Sequence, residues 1–133
     1  LPNEILAMKF TLGKEERLKS RKLIEQLFRE GKSFALFPFR VFYMSGGLPP
    51  GIFLQAGFGA GNRNFKKAVD RNRIKRLTRE AYRLQKHALE EHLRGKALPM
   101  ALFFIYVGKE LPDYAAVSVK IGLALQKLLK ETV

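Results

Sequence analysis

Eight lysines and arginines fall within the 18 positions from Lys66 to Arg83, against only two acids, Asp70 and Glu80. At 100° per residue, Arg71, Asn72, Lys75, Arg76, Arg79, Arg83 and Lys86 gather on one side of a helix, with Ile74, Leu77, Ala81, Leu84 and Ala88 opposite. Cations held this close repel one another, and a polyanion supplies the missing charge. An ordinary solvated helix mixes signs in Glu-to-Lys pairs four apart, which this stretch scarcely does. The chemistry on offer is phosphate binding along a helix face, the footprint of a nucleic-acid partner.

A second concentration is aromatic. Phe34, Phe37, Phe39, Phe42 and Tyr43 exceed what one short strand needs to face one helix. A sheet face carrying Phe or Tyr stacks unpaired bases, each stack contributing about 1 to 3 kcal/mol. Burial is the default for any single Phe. Phe42 and Arg40 are the candidates for an open face, because they alternate with Phe39 and Val41.

Groups for protein-borne catalysis are not assembled. His87 and His92, five apart, diverge by about 140° on a helix and do not face one metal. The acids stand singly or as the neighbours Glu15-Glu16 and Glu90-Glu91, without the spacing of an acid/base pair or a two-metal centre. Ser20, Ser33, Ser45 and Ser118 have no neighbouring His motif, and cysteine is absent, so neither a nucleophile nor a disulfide is available. The glycines before the basic stretch lack the Gly-Lys-Ser/Thr close of a P-loop. The expectation is no catalytic residue and no metal site on the protein.

Elements that position these groups follow from periodicity. The 133 residues, 47% hydrophobic, suit one core. The net charge of +13 and pI near 10.3 call for an acidic partner. The longest apolar run, Ala97 to Val107, is shorter than the roughly 20 residues of a membrane helix, so a soluble protein with no membrane contact is expected, and the absence of cysteine suits a reducing, cytoplasmic setting. Residues 1–8, without a signal-peptide pattern and ending at a candidate start, Met8, read as a disordered lead-in; residues 9–133 read as a single domain.

Helical spacing runs from Lys14 to Glu30, closed by Gly31. Phe34 to Met44 alternates as a strand, with Phe37, Phe39, Val41 and Tyr43 on one face. The loop at 46–51 turns the chain into a strand over 52–58, expected to pair with it as a hairpin, and another strand is expected near 59–65. Gly57, Gly59, Gly61 and Asn62 read as a flexible connection into a basic helix capped by Asp70 and running to about Leu93. Ala101 to Val107 reads as a central strand, and Asp113 caps a last helix with Val117, Ile121, Ala124, Leu125 and Leu128 on its stripe. The sum is an α+β two-layer sandwich.

The run Ala68-Val69-Asp70-Arg71-Asn72-Arg73-Ile74-Lys75-Arg76-Leu77-Thr78-Arg79-Glu80-Ala81-Tyr82-Arg83 resembles the bacterial ribonuclease P protein component, whose signature is the Arg-Asn-Arg-x-Lys-Arg-x-x-Arg-Glu core. Phe10-Thr11-Leu12 with Lys14 to Leu18 resembles that family's opening, Ile24 to Gly31 its first helix, and Phe39-Arg40-Val41-Phe42 its first strand. The resemblance implies a four-stranded sheet with three helices and a left-handed β-α-β crossover made by the basic helix. It implies a subunit of a ribonucleoprotein endonuclease that matures the 5′ end of tRNA, with catalysis in the RNA and its magnesium, and a protein that is monomeric when free. Arg63, Lys66, Lys67, Arg71, Asn72, Arg73, Lys75, Arg76 and Arg79 would face the catalytic RNA. Phe10, Ile24, Phe28, Arg40 and Phe42 would line a cleft for the 5′ leader of precursor tRNA. Where the family has a Ser-Val-Pro/Ser-Lys strand end, this chain has Gly59-Ala60-Gly61-Asn62. The rival readings are a general RNA-binding or ribosomal-type structural module without a role in cleavage, and a free-standing metal nuclease.

Overall fold

The computed structural model describes residues 12–132. Phe10 and the lead-in of residues 1–8 lie outside them. A 3-10 turn at Lys14–Glu16 precedes α1 (Arg21–Glu30), β1 (Lys32–Leu36), β2 (Phe39–Ser45), β3 (Leu54–Ala60), α2 (Ala68–Gln85), α3 (His87–Gly95), β4 (Met100–Tyr106) and α4 (Tyr114–Glu131). The strands form one mixed sheet in the order β1-β2-β4-β3. β2 runs antiparallel to β1 and β4, while β3 runs parallel to β4, so α2 and α3 make the crossover between two neighbouring parallel strands.

Several expectations hold. β4 is paired on both sides, as its continuous apolar run predicts. Asp113 caps α4 by accepting from the Ala116 N–H at 2.8 Å, and Val117, Ile121, Ala124, Leu125 and Leu128 are all buried. Gly31 closes α1, its N–H bonding the Leu27 carbonyl.

Others are corrected. The helix expected from Lys14 begins only at Arg21, where the Ser20 hydroxyl accepts from the Leu23 N–H and supplies the cap. The strand expected over 34–44 is two strands folded at Phe37-Pro38, whose peptide is cis. The hairpin is therefore β1 with β2, and Phe37, expected on one strand face with Phe39, stands at the turn 71% exposed. β3 pairs with β4 rather than β2, and residues 61–67 form a loop, not a strand. Lys67 precedes α2 as its cap residue without a side-chain bond; Asp70 lies in the first turn, where a carboxylate favours the helix N-terminus.

Cα partners across the sheet share a face, which settles the layers. On one face Phe39, Val41, Leu102, Phe104, Leu54, Ala56 and Phe58 pack beneath α2 and α4, with Tyr82 fully buried among them. Burial, then the nearby Glu90 and Glu16, pushes the Tyr82 phenol well above its ordinary value. On the other face α1 covers only part of the sheet, packing Leu23 and Leu27 with Ala101 and Met44.

Candidate nucleic-acid interface

The basic helix α2 buries Ile74, Thr78, Ala81 and Tyr82. Rotation by 100° per residue then turns Arg79, Asn72, Arg76 and Arg73 outward over an arc of about 120°. All four are exposed, as are Arg63, Lys66 and Lys67 in the preceding loop, while Arg71 and Lys75 lie half-buried at the flank. Among the described residues neither Arg73, Arg76, Arg79, Lys66 nor Lys67 has an ion pair. Arg83 differs: it is paired with Glu80, which lowers the Glu80 carboxyl and raises the guanidinium from their ordinary values through their hydrogen bonds.

Lys86 does not belong to this face. The helix breaks there, between α2 and α3, and Lys86 is 1% exposed with its ammonium bonded to the Glu16 carboxylate. A face drawn by continuing 100° steps through Lys86 misplaces it because the helix does not continue. Leu84, assigned to the packed side, is 43% exposed, and Ala88 is exposed also.

Arg71 has a structural job. Its Nη1 donates to the Phe65 and Lys66 carbonyls, both at 2.8 Å, and its backbone N–H donates to Lys67 at 3.3 Å. Three successive carbonyls thus converge on one residue and fix the turn that presents Lys66 and Lys67. The Asn64 amide ties the same loop to the Val107 and Gly108 carbonyls at 3.4 and 3.3 Å. Arg71→Lys keeps the charge but loses the planar fork. It is expected to cost about 1 to 2 kcal/mol in urea unfolding; unchanged stability would return Arg71 to the group of simple phosphate contacts.

The aromatic site is assembled on the partly covered sheet face. Pairing places Ser33, Phe42, Phe103 and Gly57 in one row, and Ala35, Arg40, Ile105 and Gly59 in the next. The second row lies beyond α1, with Ala35 and Arg40 exposed. Phe28 of α1, 42% exposed, sets its ring edge-on to Phe42 at 4.9 Å and to Phe103 at 5.1 Å between centroids. The Arg40 guanidinium lies 5.9 Å from the Phe42 ring centre and donates to the Ser33 hydroxyl at 3.0 Å. Ile24 is half-buried in the small cluster beneath α1. Phe28, Phe42 and Arg40 are therefore brought together, and Ile24 serves as their packing support.

Phe103 was missed by sequence reasoning, since a continuous apolar run does not say which face a residue takes. Its signal lies in the glycines of β3. A Cβ on Gly57 would stand 2.6 Å from Cδ2 and Cε2 of Phe103, and one on Gly59 would stand 3.0 Å from Cε1. The ring lies flat on both, so these glycines are a seat inside a strand and not a flexible connection. Gly57→Ala is expected to lift the ring and cost about 2 kcal/mol of stability. Thermal melts of Gly57→Ala and of Gly57→Ala/Phe103→Leu check this; the double variant should recover most of the loss, and equal melting of Gly57→Ala and the parent would refute the seat.

A helix face of exposed cations on one side of the sheet, with an open aromatic face on the other, defines an RNA-binding α+β protein. The family described as Ribonuclease P matches residues 12–131. The ribonuclease P protein component of Porphyromonas gingivalis is 40% identical over 120 residues, 90% of this chain and 85% of the relative. That of Chlorobium phaeobacteroides is 33% identical over 114 residues, 78% of each. The structure of the ribonuclease P protein from Thermotoga maritima superposes with a TM-score of 0.62 at 26% identity, over 84% of this chain and 96% of that one. The Staphylococcus aureus protein shares the fold, at a TM-score of 0.58 and 22% identity over 88% and 94%.

The chain belongs to the ribonuclease P protein family. It is a bacterial-type protein subunit of the ribonucleoprotein that carries out tRNA 5′ processing. The structural-module alternative is not favoured. No helix among the described residues is long and apolar enough to cross a membrane.

Proposed function

We propose that the protein holds two RNAs on two faces. The exposed cations of α2 and its loop, Arg63, Lys66, Lys67, Arg73, Arg76 and Arg79 with Asn72, take phosphates of the catalytic RNA. Arg71 and Lys75 support them from the flank. The open row of Phe28, Phe42, Phe103 and Arg40 takes the single-stranded 5′ leader of precursor tRNA, with bases stacked on the rings. The scissile chemistry then belongs to the RNA partner with its magnesium, and the protein contributes binding and the screening of repulsion between two polyanions.

The observation that carries this reading is the exposed Phe28 ring, standing edge-on to two further aromatics beside an exposed arginine on a sheet face that α1 leaves open. Removing one stacking platform costs about 1 to 3 kcal/mol per base. Phe28→Ala is therefore expected to weaken holoenzyme binding of precursor tRNA about tenfold, while leaving affinity for mature tRNA and for the catalytic RNA unchanged. Equal weakening of precursor and mature tRNA would place the leader elsewhere.

A further inference from the structure

The outer edge of β3 carries a cation-lined cavity that neither the signature helix nor the aromatic row accounts for. The segment entering α1 crosses this edge once, as a bridge of Arg17 with Ala56, with the Leu18 N–H donating to the Ala56 carbonyl at 3.0 Å. Beyond that bridge lies a cavity of about 220 Å³ lined by Arg17, Lys19 and Arg79, with Gly57 and Phe58 on its floor. Among the described residues its walls carry three cations and no acid. All three side chains are exposed, and among the described residues none of them has an ion pair. In a strand, N–H and C=O directions repeat every second residue, so the outward carbonyl of Ala56 sets the Phe58 N–H toward the same edge.

Three cations lining one cavity, with no counter-charge among the described residues, favour an anion between them. The cavity's position says which one. Gly57 is both its floor and the seat of the Phe103 ring, so the cavity abuts the aromatic row within the width of one residue. Arg79 reaches it from α2 on the opposite sheet face. We propose that Arg17, Lys19 and Arg79 form a phosphate site for the leader strand of precursor tRNA, gripping the backbone next to the base stacked on Phe103. This inference rests on the assignment of the leader to the open face. It adds Arg17 and Lys19 to the residues that hold substrate, and gives Arg79 a place where the substrate and catalytic-RNA faces meet.

The test uses holoenzyme reconstituted with the parent protein or with Arg17→Ala/Lys19→Ala, binding precursor tRNA with a leader of about ten nucleotides or mature tRNA, over a range of salt. The expected result is about tenfold weaker binding of the precursor alone. The plot of log affinity against log salt should also flatten by about 0.7 for one single-strand phosphate. A neutral methylphosphonate at one leader position should reproduce the loss with the parent protein and add nothing with the variant. Equal losses for precursor and mature tRNA would give the site to the catalytic RNA and overturn the proposal, as would no loss at all. Phe28→Ala separates the two levels. If it weakens precursor binding and the double variant does not, only the phosphate site fails; if neither does, the leader face itself fails.

Discussion

Lys67→Ala/Arg73→Ala/Arg76→Ala is expected to bind the catalytic RNA about 100-fold more weakly than the parent, at about 1 kcal/mol for each exposed phosphate contact. The three positions are chosen because they are exposed and make no ion pair among the described residues, so their loss leaves the core and the Arg71 turn intact. Removing three phosphate contacts should also flatten the slope of log affinity against log salt by about 2 to 3. Filter binding or fluorescence titration across a salt series reads both quantities. A weakened affinity with an unchanged slope would mean that these side chains act through something other than phosphate neutralisation.

Glu16→Ala is expected to cost about 3 kcal/mol of folding stability, lowering the melting temperature by about 10 °C, because it takes the balancing carboxylate away from an ammonium held in the interior. Lys86 is 1% exposed and bonded to Glu16, which ties the turn before α1 to the junction of α2 and α3. The value sits at the low end for buried pairs, since the Glu16 side chain keeps 22% exposure and water reaches it. Replacing both partners by apolar groups removes the buried charge as well, so Glu16→Ala/Lys86→Met should recover much of the loss. Circular-dichroism melts of the two variants decide. A Glu16→Ala protein that melts with the parent would show that the pair carries no stability.

How much of this was legible in the sequence depends on whether the cause was local. The seven-residue apolar run of β4 and the Asp113 cap of α4 are local signals, and both elements lie where they indicate. The outward face of α2 was legible through Arg79 because one helix keeps one phase. It failed at Lys86, whose position is decided by Glu16, 70 residues away, and by a break that no glycine or proline marks. The β1-β2 fold was hidden because period-two alternation runs on through Phe37 and Pro38. Parallel pairing of β3 with β4 spans two intervening helices, and nothing in the local pattern of either strand announces it. Gly57 and Gly59 were read as flexibility, yet their reason is tertiary: Phe103 needs the space a side chain would fill.

The same distinction separates the two halves of the site. The cationic face was readable from charge alone, since one sign dominates one side of the helix. The open aromatic face required the sheet register, because only pairing shows that Phe42, Phe103 and Gly57 share a row and that Phe28 reaches it from α1.

The central claim is that the protein binds while its RNA partner cuts, and 5′ cleavage of precursor tRNA at low magnesium tests it most directly. Catalytic RNA alone, protein alone and the two together are compared on the same substrate. The account predicts little cleavage by the RNA alone at that magnesium, none by the protein, and efficient cleavage by the mixture; cleavage by the protein alone, or no gain on adding it to the RNA, would contradict it.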